Sequence, residues 1–186
     1  MKAMIVIDML NDFVTGVFGC YDAQRIVSNI IESLKIARSK EIPIIYLCTN
    51  LLNSKMLSEE GDKLIKIWGV HAMKGTKGAE IVPQLKPDKN DTIIYKKLYS
   101  GFENGMLNSF LKDHKIDTLI FTGLYTDICI LNNVVYAFHL GYDTTIVRDC
   151  TIATDQDQEF DYQYMKDLYN TKIIDKDDLE LYIGED

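Results

Sequence analysis

Apolar runs rich in β-branched residues alternate with segments of helical periodicity along the whole chain. The first run, AMIVID at 3–8, is apolar at successive positions rather than at every second one, the pattern of a strand covered on both faces. The segment 22–40 follows, with Ile26, Ile30, Leu34 and Ala37 on one stripe and Asp22 in place to cap its start. Further strands are expected at 42–49, 92–96, 118–124, 144–149 and 171–175, and helices over 105–114, 127–140 and 156–169, the last capped by Asp155.

The stretch 51–87 breaks the alternation. It holds a short helical pattern near 58–67 and then WGVHAMKGTKGAEIVPQL, and excursions of that length usually cover an active site. Strand and helix in alternation imply an α/β fold of three layers, a parallel sheet between two helical layers, whose ligands sit beyond the carboxyl ends of the strands. No linker or low-complexity segment divides the sequence, so residues 1–186 are expected to form a single domain. A formal net charge of -8 disfavours nucleic acid or an anionic membrane surface as partner, since both require clustered cations; a small molecule is the expected partner. The first apolar run meets Asp8 too soon to serve as a secretion signal or membrane span, and a cytoplasmic location is expected.

Cys20, Cys48, Cys129 and Cys150 show no metal-ligand spacing. Three of them are expected to pack as small buried hydrophobes. Cys129 differs, because it falls just past the strand TLIFTGL. With Thr126 as N-cap it would stand third in the following helix, where backbone N–H groups and the dipole favour a thiolate. Asp8 ends the first strand and Lys96 ends TIIYK, so an acid, an amine and a thiol are expected on one rim. Of the three histidines, His114 and His139 lie in helical patterns and only His71 lies in the covering stretch. Neither GxGxxG after the first strand nor GxxxxGK[ST] is present, which counts against a nucleotide-binding module.

Taken together, IVIDMLNDF at 5–13, YKKLYSGF at 95–102 and TGLYTDICI at 122–130 resemble the motif blocks of the isochorismatase-like cysteine hydrolases, with WGVHAMKGTKGAEIVP between them as a fourth match. The resemblance implies a Rossmann-like, six-stranded parallel sheet of order 3-2-1-4-5-6 and amide or carbamoyl hydrolysis without a cofactor. It implies Cys129 as nucleophile, Asp8 as general base and acid, and Lys96, rather than Lys97, as bridging cation. It further implies a cis peptide at Leu124-Tyr125 and an oxyanion hole from the N–H groups of Tyr125 and Cys129. A pocket of Phe13, Asn50, Trp68, His71 and Tyr125 is expected, and self-association into a dimer or tetramer. Nicotinamidases of the family bind a divalent metal, but here Asn50 and Leu52 stand where two ligands would be and only His71 matches, so no metal is expected. A metal-dependent nicotinamidase, an isochorismatase-type hydrolase and a non-catalytic member are the alternatives.

Overall fold

The computed structural model describes residues 1–51, 59–154 and 157–185. Six strands, β1 (Lys2–Ile7), β2 (Ile44–Thr49), β3 (Thr92–Lys96), β4 (Thr118–Leu124), β5 (Asp143–Ile152) and β6 (Lys172–Ile174), form one all-parallel sheet in the order β3-β2-β1-β4-β5-β6. The order is the one the family resemblance implies. The chain reverses direction across the sheet between β1 and β4, which makes the gap beyond their carboxyl ends the crevice where ligands bind.

The period-2 geometry of β1 divides its side chains between two cores. Met4 and Val6 face helix α2 (Tyr21–Ser39) through Ile26, Ile30, Leu34 and Ala37. Ala3, Ile5 and Ile7 face the opposite layer, where helices α4 (Met106–Asp113), α5 (Leu131–His139) and α6 (Gln158–Tyr169) contribute Leu107, Leu111, Val134, Ala137 and Met165. Both faces are therefore apolar, which is why β1 reads as a continuous hydrophobic run. A short helix α1 (Asn11–Val14), the helix α3 (Glu59–Trp68) of the covering stretch and a terminal helix α7 (Leu179–Gly184) complete the order. The sequence pattern gave no notice of α1 or α7, which are too short to show a full amphipathic period.

Several element ends differ from the expected ones. Helix α2 starts one residue before Asp22, and Cys20 is its N-cap, its sulfur accepting from Ala23 N at 3.4 Å. Cys20 is accordingly exposed, whereas Cys48 and Cys150 are buried as expected. Helix α6 is capped by Asp157, whose side chain accepts from Phe160 N; the expected cap Asp155 lies outside the described residues. Strand β5 runs to Ile152, past the expected end at 149, because its register against β4 shifts between Phe121 and Gly123 and pairing resumes at Thr151. Gly123 has φ 105, and a Cβ there would lie 2.1 Å from Ile7 O, so only glycine lets β4 approach β1 at this point.

Candidate active site

Asp8 follows β1 directly and takes a left-handed backbone (φ 51), a conformation aspartate enters more readily than most residues. Its carboxylate is almost fully buried, at 2% exposure. One oxygen accepts from Thr49 N at 2.7 Å and the other lies 2.7 Å from Lys96 Nζ. Lys96 comes from β3, two strands away from β1, and its long side chain crosses the end of β2 to reach the acid. On that path the ammonium donates to Thr49 Oγ1 at 2.8 Å and Leu98 O at 3.1 Å, and it lies 3.4 Å from Cys129 Sγ. Lys96 thus bridges the acid and the thiol expected at the rim. Lys97, the neighbouring lysine, is exposed, because successive residues of a strand face opposite sides.

Thr49 belongs to the cluster and was not among the site residues expected from sequence. Its signal is a polar residue ending a fully buried strand, IIYLCT. Asn133 is a second such residue. From the first turn of α5 its amide donates to Cys129 O at 2.7 Å and Tyr99 O at 3.3 Å while accepting from Gly101 N at 2.9 Å, so it ties the cysteine's turn to the segment after β3.

Cys129 does not occupy the third position of an α-helix. It lies in a single π turn, Thr126–Ile130, that precedes α5, and Tyr125 rather than Thr126 is at the cap position. Turns of this kind are frequent at functional sites. The Leu124-Tyr125 peptide is cis. The expected preference for a thiolate is also corrected: burial pushes the Cys129 thiol up from 9.0 to about 12, and the negative charge of Asp8 adds to this, against the opposing pull of Lys96. Desolvating an anion costs more here than the turn's N–H groups and one ammonium return. Burial acts on Lys96 in the opposite sense, but Asp8 and Cys129 beside it outweigh that and hold it well above the ordinary lysine value.

Cys129 and Thr49 reach the wall of a cavity of about 280 Å³, whereas Asp8 and Lys96 lie behind them. Phe13, Trp68, His71 and Tyr125 line it, as do Phe18 and Tyr99, which sequence reasoning passed over. Asn50 is not in the lining; its N–H donates to Lys96 O at 3.0 Å, and its side-chain oxygen is buried with no hydrogen-bond partner among the described residues. Trp68 is 41% exposed, hence not a core residue, and its indole N–H donates to Tyr99 OH at 2.9 Å. His71 is buried, edge-on to Phe13 and Phe18 at 5.7 and 5.1 Å between ring centroids, and its Nδ1 is 2.7 Å from Gly69 O. The covering stretch around it is pinned by Ala72 N donating to Asp12 Oδ2 at 2.8 Å.

A divalent metal does not fit these residues. A catalytic zinc takes about three protein ligands; here His71 offers one imidazole, Asn50 is absent from the cavity lining, and the third position is an apolar leucine, Leu52, which lies outside the described residues. Among the described residues no group of three or more His, Cys, Asp or Glu side chains converges on a metal position.

An acid, a lysine and a cysteine therefore cluster at the switch point of a doubly wound parallel sheet, behind and beside an aromatic cavity. Residues 2–178 match the family described as Isochorismatase domain, and the chain belongs to that family. It is 28% identical over 172 residues to a ureidoacrylate amidohydrolase RutB from Variovorax paradoxus (strain S110), covering 81% of this chain and 68% of that protein. Among solved structures, N-carbamoylsarcosine amidase from Thermoplasma acidophilum superposes with a TM-score of 0.85 at 28% identity, over 95% of this chain and 96% of that one. A pyrazinamidase/nicotinamidase from Streptococcus mutans UA159 superposes with a TM-score of 0.84 at 25% identity, over 94% and 100% of the two chains.

Proposed function

We propose that the protein is a cysteine-dependent amidohydrolase that cleaves a small amide or carbamoyl compound through a thioester on Cys129. The observation that carries the reading is the position of Lys96 Nζ, 2.7 Å from Asp8 and 3.4 Å from Cys129, in a buried cluster whose sulfur lines the cavity. Family membership and the amidohydrolase and amidase names of its relatives support the C–N chemistry.

Because the resting thiol is held neutral, its proton must leave as the sulfur attacks. Asp8 accepts that proton while Sγ bonds to the carbonyl carbon and the C=O electron pair moves onto oxygen. The N–H groups of Tyr125 and Cys129 hold the oxyanion. Lys96 stays protonated, balancing the carboxylate before transfer and the developing negative charge afterwards. As the oxyanion collapses, the C–N bond breaks and Asp8 returns its proton to the leaving nitrogen, which departs as amine or ammonia. Water then gives a proton to Asp8 and adds to the thioester, and breakdown releases the acid and restores the thiol.

The deciding experiment is ammonia release from a panel of small amides and carbamoyl compounds by the wild type and by Cys129→Ala. Release by the wild type alone, with unchanged circular dichroism in the variant, is the expected result; release that survives in Cys129→Ala would place the chemistry elsewhere. Self-association into a dimer or tetramer belongs to the same proposal, rests on the family resemblance, and is checked by sedimentation at a mass above 21.3 kDa.

A further inference from the structure

In the turn Thr126–Ile130, Ile130 N donates to Tyr125 O at 3.0 Å, five residues back, so the ordinary fourth-residue ladder is interrupted where the nucleophile sits. Two successive asparagines of α5 reach back onto this turn. Asn132 Nδ2 donates to Ile128 O at 2.9 Å and Asn133 Nδ2 to Cys129 O at 2.7 Å, each to the carbonyl four residues earlier. Asn133 is fully buried and does more. Its amide also donates to Tyr99 O at 3.3 Å, and its oxygen accepts from Gly101 N at 2.9 Å. Both protons and the oxygen of one buried amide are thus spent on the main chain of two separate segments.

The second of those segments, residues 98–101, is also the one that anchors the ammonium, since Leu98 O accepts from Lys96 Nζ at 3.1 Å. Its start is held in turn by Glu103, whose carboxylate accepts from Leu98 N at 3.1 Å and from Lys97 N. Cys129 follows β4 and Lys96 ends β3, on opposite sides of β1 and β2 in the sheet. Asn133 joins the two ends into one frame. On one side it holds the carbonyl of Cys129, and on the other the peptide groups next to the one that holds Nζ. The remaining side-chain ties on the turn lead elsewhere: Gln158 Nε2 donates to Thr126 Oγ1 at 3.2 Å and Thr154 N to Asp127 Oδ1 at 2.9 Å, both from the region between β5 and α6.

We propose that Asn133 is a positioning residue for the reaction: by locking the nucleophile's turn to the segment that anchors the lysine, it fixes Cys129 Sγ at its 3.4 Å separation from Lys96 Nζ. The proposal deepens the thioester reading and rests on it for the chemistry served. Sulfur must meet the carbonyl carbon while still beside the cation and the acceptor of its proton, and a misplacement of about 1 Å costs about 100-fold in rate. A threonine at this position could donate to Cys129 O, but its hydroxyl has no second proton for Tyr99 O; the amide of asparagine supplies both donors and the acceptor. Asn133 does not line the cavity, so its loss acts on the rate of attack and not on binding.

The probe is p-nitrophenyl acetate, whose acetyl carbon bonds to Sγ as the thiol proton passes to Asp8 and p-nitrophenolate leaves, read by its absorbance. The rate due to Cys129 is that of the wild type less that of Cys129→Ala. In Asn133→Leu this rate should fall at least about 30-fold in kcat with KM within about threefold. Val134→Ala, which thins the core at the next residue of the same helix, is the control for lost stability and should keep kcat within about threefold. Asn133→Thr, which keeps the bond to Cys129 O without the link to residues 98–101, should lose at least about fivefold, and it carries the test alone if the leucine variant does not fold. A rate that Asn133→Leu preserves overturns the proposal, as does wild-type kcat in Asn133→Thr or an equal fall in Val134→Ala, which would make the amide merely structural. Wild-type release no faster than that of Cys129→Ala overturns the thioester reading and this proposal with it.

Discussion

At Cys129, burial and charge pull one proton in opposite directions, and burial prevails. The folded thiol ionises near pH 12 and the unfolded one near 9.0, so between these values the native state holds a proton that the unfolded chain has lost. Stability therefore falls as pH rises through that window. Cys129→Ala removes one such proton, and chemical denaturation at pH 9, 10 and 11 should show its loss per pH unit to be smaller than the wild type's by about 1.4 kcal/mol. The ion pair behind the sulfur has a different signature. Replacing Lys96 by Met strands the Asp8 carboxylate in a site of 2% exposure, and urea unfolding is expected to register a loss of about 3–5 kcal/mol. Lys97→Ala, at an exposed side chain, should stay within about 0.5 kcal/mol and leave hydrolysis unchanged. His71 has too few companions among the described residues to hold a metal. Chelation with EDTA should accordingly leave the rate of ammonia release unaltered; loss of activity restored by added zinc would contradict this ligand count.

Among the elements, the covering stretch depends on one close approach. Asp12, from α1, accepts from Ala72 N, and its carboxyl lies so near Gly78 that an added Cβ would be 2.2 Å from Oδ2. Gly78→Ala must push that carboxyl away and release the stretch from α1. Trypsin, with peptides read by mass spectrometry, should then cut after Lys74 or Lys77 several times faster than in the wild type; unchanged cleavage would mean that other contacts, such as Leu51 N to Ala72 O at 2.9 Å, hold it. The strands themselves were legible from sequence because both faces of each central strand are covered, which turns the apolar pattern into an unbroken run. The caps were less legible. A cysteine rarely caps a helix, and nothing local in CYDAQR distinguishes Cys20 from Asp22 as the starting residue; the chain's path out of α1 decides it.

For the whole molecule, β1 is shared by two hydrophobic layers, one on each face of the sheet, so neither layer can unfold without exposing the other's strands. A single cooperative transition, with fluorescence of Trp68 and far-ultraviolet dichroism coincident in urea, is the expected behaviour of one domain; two separated midpoints would count against it. What the sequence determined by itself is the alternation of strands and helices, hence a parallel sheet, and the arrival of Asp8, Lys96 and Cys129 at strand ends, because periodicity and the carboxyl-end rule are local and topological facts. The motif blocks added strand order and roles through resemblance. Only the tertiary structure decided how a lysine from β3 reaches an acid after β1, through Thr49 on the strand between them. It also decided the protonation state of the thiol and the apolar character of the cavity. Both depend on desolvation, a property of everything packed around a group rather than of the group and its neighbours in sequence.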